Sequence, residues 1–190
     1  YAMSLLAEIA NRLGYFDDAE FLLEKAVSFR PDDGDLRMKF ATILRKKQKF
    51  KETMEQVNIL CEKFPDNLSY QAHRASEVMQ NGDHEKAVKL FNSIIKKSPH
   101  NYNALTSKGH ALKTLGKTDQ AIYCYKSAYK KKPDNGDAFY SLANLKTYSL
   151  TENESNRMRE QLERVDLTLK DKVYFHFALA QACEVAGNFD

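Results

Sequence analysis

The sequence predicts an all-α fold, an α-solenoid made by stacking copies of one helical hairpin. Three observations carry that expectation. The chain's four prolines, Pro31, Pro65, Pro99 and Pro133, stand 34 residues apart. Glycines keep step with them: Gly14, Gly82 and Gly116 fall where the first helix of a unit must end in a left-handed residue. Small residues recur in rows, Ala7, Ala41, Ala75 and Gly109 in one and Ala19, Thr53, Ala87 and Ala121 in another, as close helix approach requires. A hairpin this thin cannot bury its apolar face alone, so a fixed period of this length signals units that stack.

With proline late in each unit, the units are 1–33, 34–67, 68–101 and 102–135. Leu23, Val57, Phe91 and Tyr125 fill the space beside the small rows. Asp17, Asp18, Glu52, Glu85 and Asp119 open the second helices, and Arg30, Lys63, Lys96, Lys97 and Lys130 close them. Both biases oppose the helix dipole with the correct sign. Asp33, Asn67, Asn101 and Asn135 follow the prolines and are placed to cap the next first helix. The second unit has Gln48 where the others have glycine, so its turn is the least ideal.

The pattern changes after Asn135. Residues 137–148 read as a fifth first helix, with Phe139, Leu142 and Ala143 facing inward. Thr151 and Glu154 form a capping box that starts a polar helix to about residue 164, with Met158, Leu162 and Val165 at helical spacing. Residues 136–172 are thus expected to form a degenerate fifth helical hairpin, and 173–190 the first helix of a truncated sixth unit. Thr168 and Asp171 suggest its cap, and 172–186 its span. Leu179, Ala180, Cys183 and residues 187–190 are assigned to repeat positions, which makes His176 a buried packing residue. A half-hairpin leaves an apolar face open, so the natural protein is expected to continue past Asp190.

Twenty-nine basic residues against 26 acidic ones leave a net charge of +3, too balanced to suggest a nucleic-acid binder. No apolar run reaches membrane-spanning length, and the start lacks a signal peptide's pattern, so a cytoplasmic, membrane-free protein is expected. Cys61, Cys124 and Cys183 lie far apart without zinc-binding spacing; free thiols, no metal and no cofactor are expected. No catalytic constellation stands out.

Register, turns and proline stops together make the first 135 residues resemble the tetratricopeptide repeat (TPR) family. The resemblance implies a right-handed superhelix whose first helices line a concave, peptide-binding groove. Carried over position by position, the groove would hold Met38, Lys39, Thr42 and Arg45; His73, Ser76 and Met79; Thr106, His110 and Lys113; and Tyr140 and Asn144, with Tyr148 beyond them. Its basic, hydroxyl and imidazole groups suit an extended peptide with some acidic character, or an internal segment of the parent protein. The Lys and Asn clamp of chaperone-binding relatives is absent, since those positions hold Ser4, Met38, Ala72, Thr106 and Glu8, Thr42, Ser76, His110. His73 and His110 could face each other but lack a third ligand. Residues 45–51, RKKQKFK, exceed what a helix end needs and suggest a basic knob, whereas Lys130–Lys132 read as a solvated helix end. Tyr123 and Tyr129 are expected to pack against the next unit.

SLANLKTY at 141–148 and HFALAQACEVAGNFD at 176–190 resemble the end of the TPR arm in bacterial proteins with a C-terminal sulfotransferase domain; arms of bacterial glycosyltransferases are less close. No donor-binding residue can be carried over. The expectation is a non-catalytic interaction scaffold, alternatively the accessory arm of such an enzyme, with weak self-association through terminal helices as a further possibility.

Overall fold

The structure is a computed structural model describing residues 2–186, with side chains described as far as Glu184. The described residues form eleven α-helices and no strand. Second helices α2 (Phe16–Phe29), α4 (Phe50–Lys63), α6 (His84–Lys97) and α8 (Thr118–Lys131) start 34 residues apart. So do the first helices α3 (Gly34–Lys46), α5 (Leu68–Gln80), α7 (Tyr102–Thr114) and α9 (Gly136–Ala143). The remainder are α1 (Ala2–Leu13), α10 (Glu152–Leu162) and α11 (Leu169–Ala186). The chain divides into two compact units, one ending at Gly82 and one beginning at Asp83.

In the first unit each helix from α1 to α5 packs on the next. Ala7, Ala19 and Ala26 let the helices approach, and Leu23, Leu36 and Ile43 fill the core between them. Ala41, Val57 and Cys61 form a smaller cluster with Tyr70 against it. Gly14 and Gln48 both close their helices with positive φ, 84° and 59°. Asp33 accepts from the Leu36 amide at 3.0 Å, and Asn67 from those of Ser69 and Tyr70, so both cap their helices.

In the second unit one cluster joins Leu105, Leu112, Tyr125, Phe139, Met158 and Phe175. Tyr129 stacks on Phe139 at 4.4 Å, whereas Tyr123, expected to pack, is 72% exposed. Asn101 caps α7, but Asn135 makes no cap bond. Its side chain donates instead to Thr106 Oγ1 at 3.1 Å.

The end of this unit corrects the sequence reading. The fifth first helix stops at Ala143 and does not reach 148: Leu145 folds into the core, and the Tyr148 hydroxyl donates to Glu154. The principal partners of α9 are α8 and α11, so α9 and α10 are not the two arms of a hairpin. The polar α10 reaches the same core through Met158 and ends at Leu162, leaving Val165 97% exposed. Helix α11 begins at Leu169, where the Asp171 amide donates to Thr168 Oγ1 at 3.1 Å. Phe175 and Ala178 face the core and His176 is exposed, so the helix sits one residue earlier in register than expected. The assignment of residues 187–190 lies outside the described residues.

Candidate functional site

The first helices of the first unit hold a compact polar surface. Thr42 is exposed, and its hydroxyl donates to the Met38 carbonyl at 2.9 Å. Lys39 lies 3.7 Å from the Glu8 carboxylate and donates to Ser4 Oγ at 3.4 Å. Arg12 pairs with the same Glu8 at 2.8 Å. Lys46 donates to Asn11 Oδ1 at 2.6 Å. These groups surround a hollow of about 270 Å³ between α1 and α3, lined by Ser4, Glu8, Asn11, Arg12, Lys39 and Thr42 around apolar Ala7, Leu23 and Ile43. Two cations thus share one carboxylate at its rim.

Ser4, Glu8, Asn11 and Arg12 were left out of the expected groove, which was assigned from the second unit onward. They stand one period before Met38, Thr42, Arg45 and Lys46, so the repeat register alone could have found them. Arg45 is less available than expected. Its guanidinium pairs with Glu77 at 2.5 Å and lies 5.0 Å over the Phe50 ring. On α5, His73 is exposed, while Ser76 and Met79 are half-buried.

The basic run at 45–51 is not a free knob. Besides Arg45 and Lys46, Lys47 pairs with Asp17 and Glu20, and Lys49 with Glu20 at 2.5 Å. Burial raises the Glu20 carboxyl, but hydrogen bonds from Lys47 and Lys49 outweigh it, and its net shift is below the usual range. The cluster ties the second hairpin to the first.

In the second unit the expected groove residues divide. Thr106 is 4% exposed, donating to the Tyr102 carbonyl and accepting from Asn135, so it is structural and not a ligand contact. His110 Nδ1 lies 3.1 Å from the buried Tyr125 hydroxyl, and Nε2 lies 3.6 Å from Asp137 Oδ1. Burial raises the Asp137 carboxyl, yet His110 beside it, with Ser141 and Lys170, brings it below its ordinary value. Burial also pushes the Tyr125 phenol well up, so it is no base. Tyr140 stacks on Tyr174 at 5.1 Å with Phe177 edge-on at 6.3 Å. Asn144 Nδ2 donates to the Tyr140 carbonyl, and Lys113 is exposed.

Burial raises the Cys61 and Cys124 thiols, which makes them poor nucleophiles. Among the described residues no three His, Cys, Asp or Glu side chains are grouped to hold a metal. No helix among them is long and apolar enough to cross a membrane.

Comparison with known proteins places this geometry. Residues 43–159 match the model of the Psidin N-terminal TPR repeats region, and residues 1–33 match the tetratricopeptide repeat model. Neither describes a sulfotransferase arm. Curated proteins yield no match. Among solved structures, MamA of AMB-1 is similar with a TM-score of 0.64 and 19% identity, covering 95% of this chain and 98% of that one. MamA 41-end from Desulfovibrio magneticus RS-1 is similar with a TM-score of 0.66 and 10% identity, covering 98% of this chain and 93% of that one. At these identities the likeness is one of fold. The first family model spans more than half of the chain, which therefore belongs to the family of Psidin N-terminal TPR repeats regions and is a tetratricopeptide-repeat protein.

Proposed function

We propose that the chain is a protein-binding scaffold without chemistry of its own, holding an extended peptide against its first helices. The observation that carries this reading is the hollow between α1 and α3, with hydroxyl, amide and charged groups at its rim and an apolar floor. Such a mix fixes a peptide's orientation by a few polar contacts while burying part of its surface. Arg12 and Lys39 share Glu8, so the rim retains a net positive charge, which favours an acidic side chain in the peptide. Met38, Ser76 and Met79 extend the surface along α3 and α5, and His110, Lys113, Tyr140 and Asn144 offer a second set in the other unit.

The test is selection from a random peptide library, displayed on phage, against the wild type and against a Lys39→Glu, Thr42→Arg double variant. Both positions are exposed, so the fold tolerates the changes. Acid-containing peptides enriched on the wild type and lost on the variant support the reading. Failure to enrich, or enrichment indifferent to the variant, contradicts it.

A second reading makes this scaffold the arm of a larger enzyme, most closely a sulfotransferase. It rests on the sequence likeness of residues 141–148 and 176–190. The full reading frame tests it: a sulfotransferase domain downstream supports it, and any other continuation or a stop removes it.

A further inference from the structure

The first hairpin leaves an apolar face open. Leu5, Leu6, Ile9 and Leu13 of α1, Tyr15 of the turn and Phe29 of α2 are all between 47% and 73% exposed. One period later stand Lys39, Phe40, Ile43, Lys47, Lys49 and Lys63, and each of these turns back onto the first hairpin. Phe40 and Ile43 join its core. Lys39 donates to Ser4 Oγ at 3.4 Å and lies 3.7 Å from Glu8. Lys47 pairs with Asp17 and Glu20, and Lys49 with Glu20. Lys63 pairs with Asp32 and donates to the Pro31 carbonyl at 3.1 Å. The six exposed side chains therefore hold the positions by which one hairpin seats on another, and that seam is uncovered.

The chemistry of the seam decides its partner. Where the second hairpin meets carboxylates with four lysines, the first has Leu5, Leu13, Tyr15 and Phe29. A helix that carried carboxylates to the seam, as α2 carries Asp17 and Glu20, would find no cation and would bury them against hydrocarbon. Complementarity thus rejects an acidic repeat and selects an equally apolar face. A second copy of the chain has one. Leu5, Ile9 and Leu13 stand four residues apart in one row of α1, and no charged residue falls on the arc they share with Leu6. The row is symmetric about Ile9. Turned end over end, it sets Leu5 against Leu13 and Ile9 against Ile9. Six large side chains exposed to this degree leave on the order of 600 Å² of apolar surface per copy, so a pair removes about 1,200 Å² from water, the lower bound for a stable interface.

We propose that the chain pairs with a second copy of itself through this face, α1 antiparallel to α1 about a two-fold axis at Ile9, with Tyr15 and Phe29 at the flanks. Such an interface uses the same patch on both copies, so it closes at two and does not grow into a filament. It lies outside the peptide site proposed above and does not rest on it.

The test is sedimentation equilibrium of the chain between ~1 and ~200 μM. Monomer and dimer alone are expected, with a dissociation constant on the order of 10 μM for an interface of this size. Ile9→Lys and Ile9→Glu each set like charges against one another across the axis. Each variant is expected to pair at least about tenfold more weakly, with an unchanged thermal midpoint at ~1 μM, where the wild type is monomeric. An equimolar mixture of the two is expected to regain the dimer, since lysine then meets glutamate. Phe177→Glu, on the exposed side of α11, is expected to leave pairing unchanged. A monomer at every concentration, species larger than a dimer, a mixture no better than either variant alone, or loss of pairing in Phe177→Glu would each overturn the proposal.

Discussion

Gln48 holds a left-handed backbone, φ 59°, in the turn where Gly14, Gly82 and Gly116 serve the other hairpins. A side chain there costs about 1–2 kcal/mol in steric crowding. Glycine would relieve that but lose more chain entropy on folding, so Gln48→Gly is expected to stabilise the protein by a net of about 0.5–1 kcal/mol. Urea unfolding would show a higher midpoint with an unchanged slope. Gly109 makes the opposite case. A Cβ added there would stand 2.4 Å from Tyr125 Cε1, and Tyr125 is fully buried with its hydroxyl against His110. Gly109→Ala therefore overpacks the core and is expected to cost about 1–3 kcal/mol by the same measurement. This pairing was legible in the sequence, because the smallest residue of one row stands opposite Tyr125. The Thr106–Asn135 bond was not legible. Each residue read by itself has an ordinary role, one as groove lining and one as cap, and only the fold joins them across 29 positions.

The starts of the regular helices could be read from the period, since proline, glycine and the caps mark them in the chain itself. The end of α9 could not. No breaker follows Ala143, and the helix stops because Leu145 and Tyr148 find burial and hydrogen bonds elsewhere. The basic run misled for a similar reason, its carboxylate partners lying about thirty residues away. Helix α10 hangs on Glu154, which is buried and accepts from Tyr129 at 3.0 Å, from Tyr148 at 2.7 Å and from the Thr151 amide at 2.9 Å. Burial raises this carboxyl, but the Thr151 and tyrosine donors outweigh it and hold it below its usual value. Burial and the same carboxylate push the Tyr129 phenol up to about 12. A lowered carboxyl stabilises the fold above its unfolded pKa, and that contribution fades as pH falls through the folded value. Glu154→Gln, which points an NH₂ at these donors, is expected to cost about 1–3 kcal/mol at pH 7. The difference from wild type should shrink below about pH 4.3. Thermal midpoints of both proteins across pH 3–7 check the sign.

At the scale of the whole molecule, the described residues form two compact units in which helices touch mainly their neighbours in sequence. Stability in such a chain is a sum of hairpins and nearest-neighbour seams, and the exposed faces of the first helices stay free for a partner. That freedom is the physical basis of the scaffold reading, and it is absent at Thr106 and reduced at Arg45, where the protein itself has filled the position. The most direct measurement places a photoreactive benzoylphenylalanine at position 42, at position 51 on α4, or at position 156 on α10, in three separate variants. Each is irradiated with an acid-containing peptide that is enriched on the wild type and lost on the Lys39→Glu, Thr42→Arg variant. Such a peptide is expected to crosslink from position 42 alone. Crosslinking from position 51 or 156, or none from position 42, would contradict the scaffold reading.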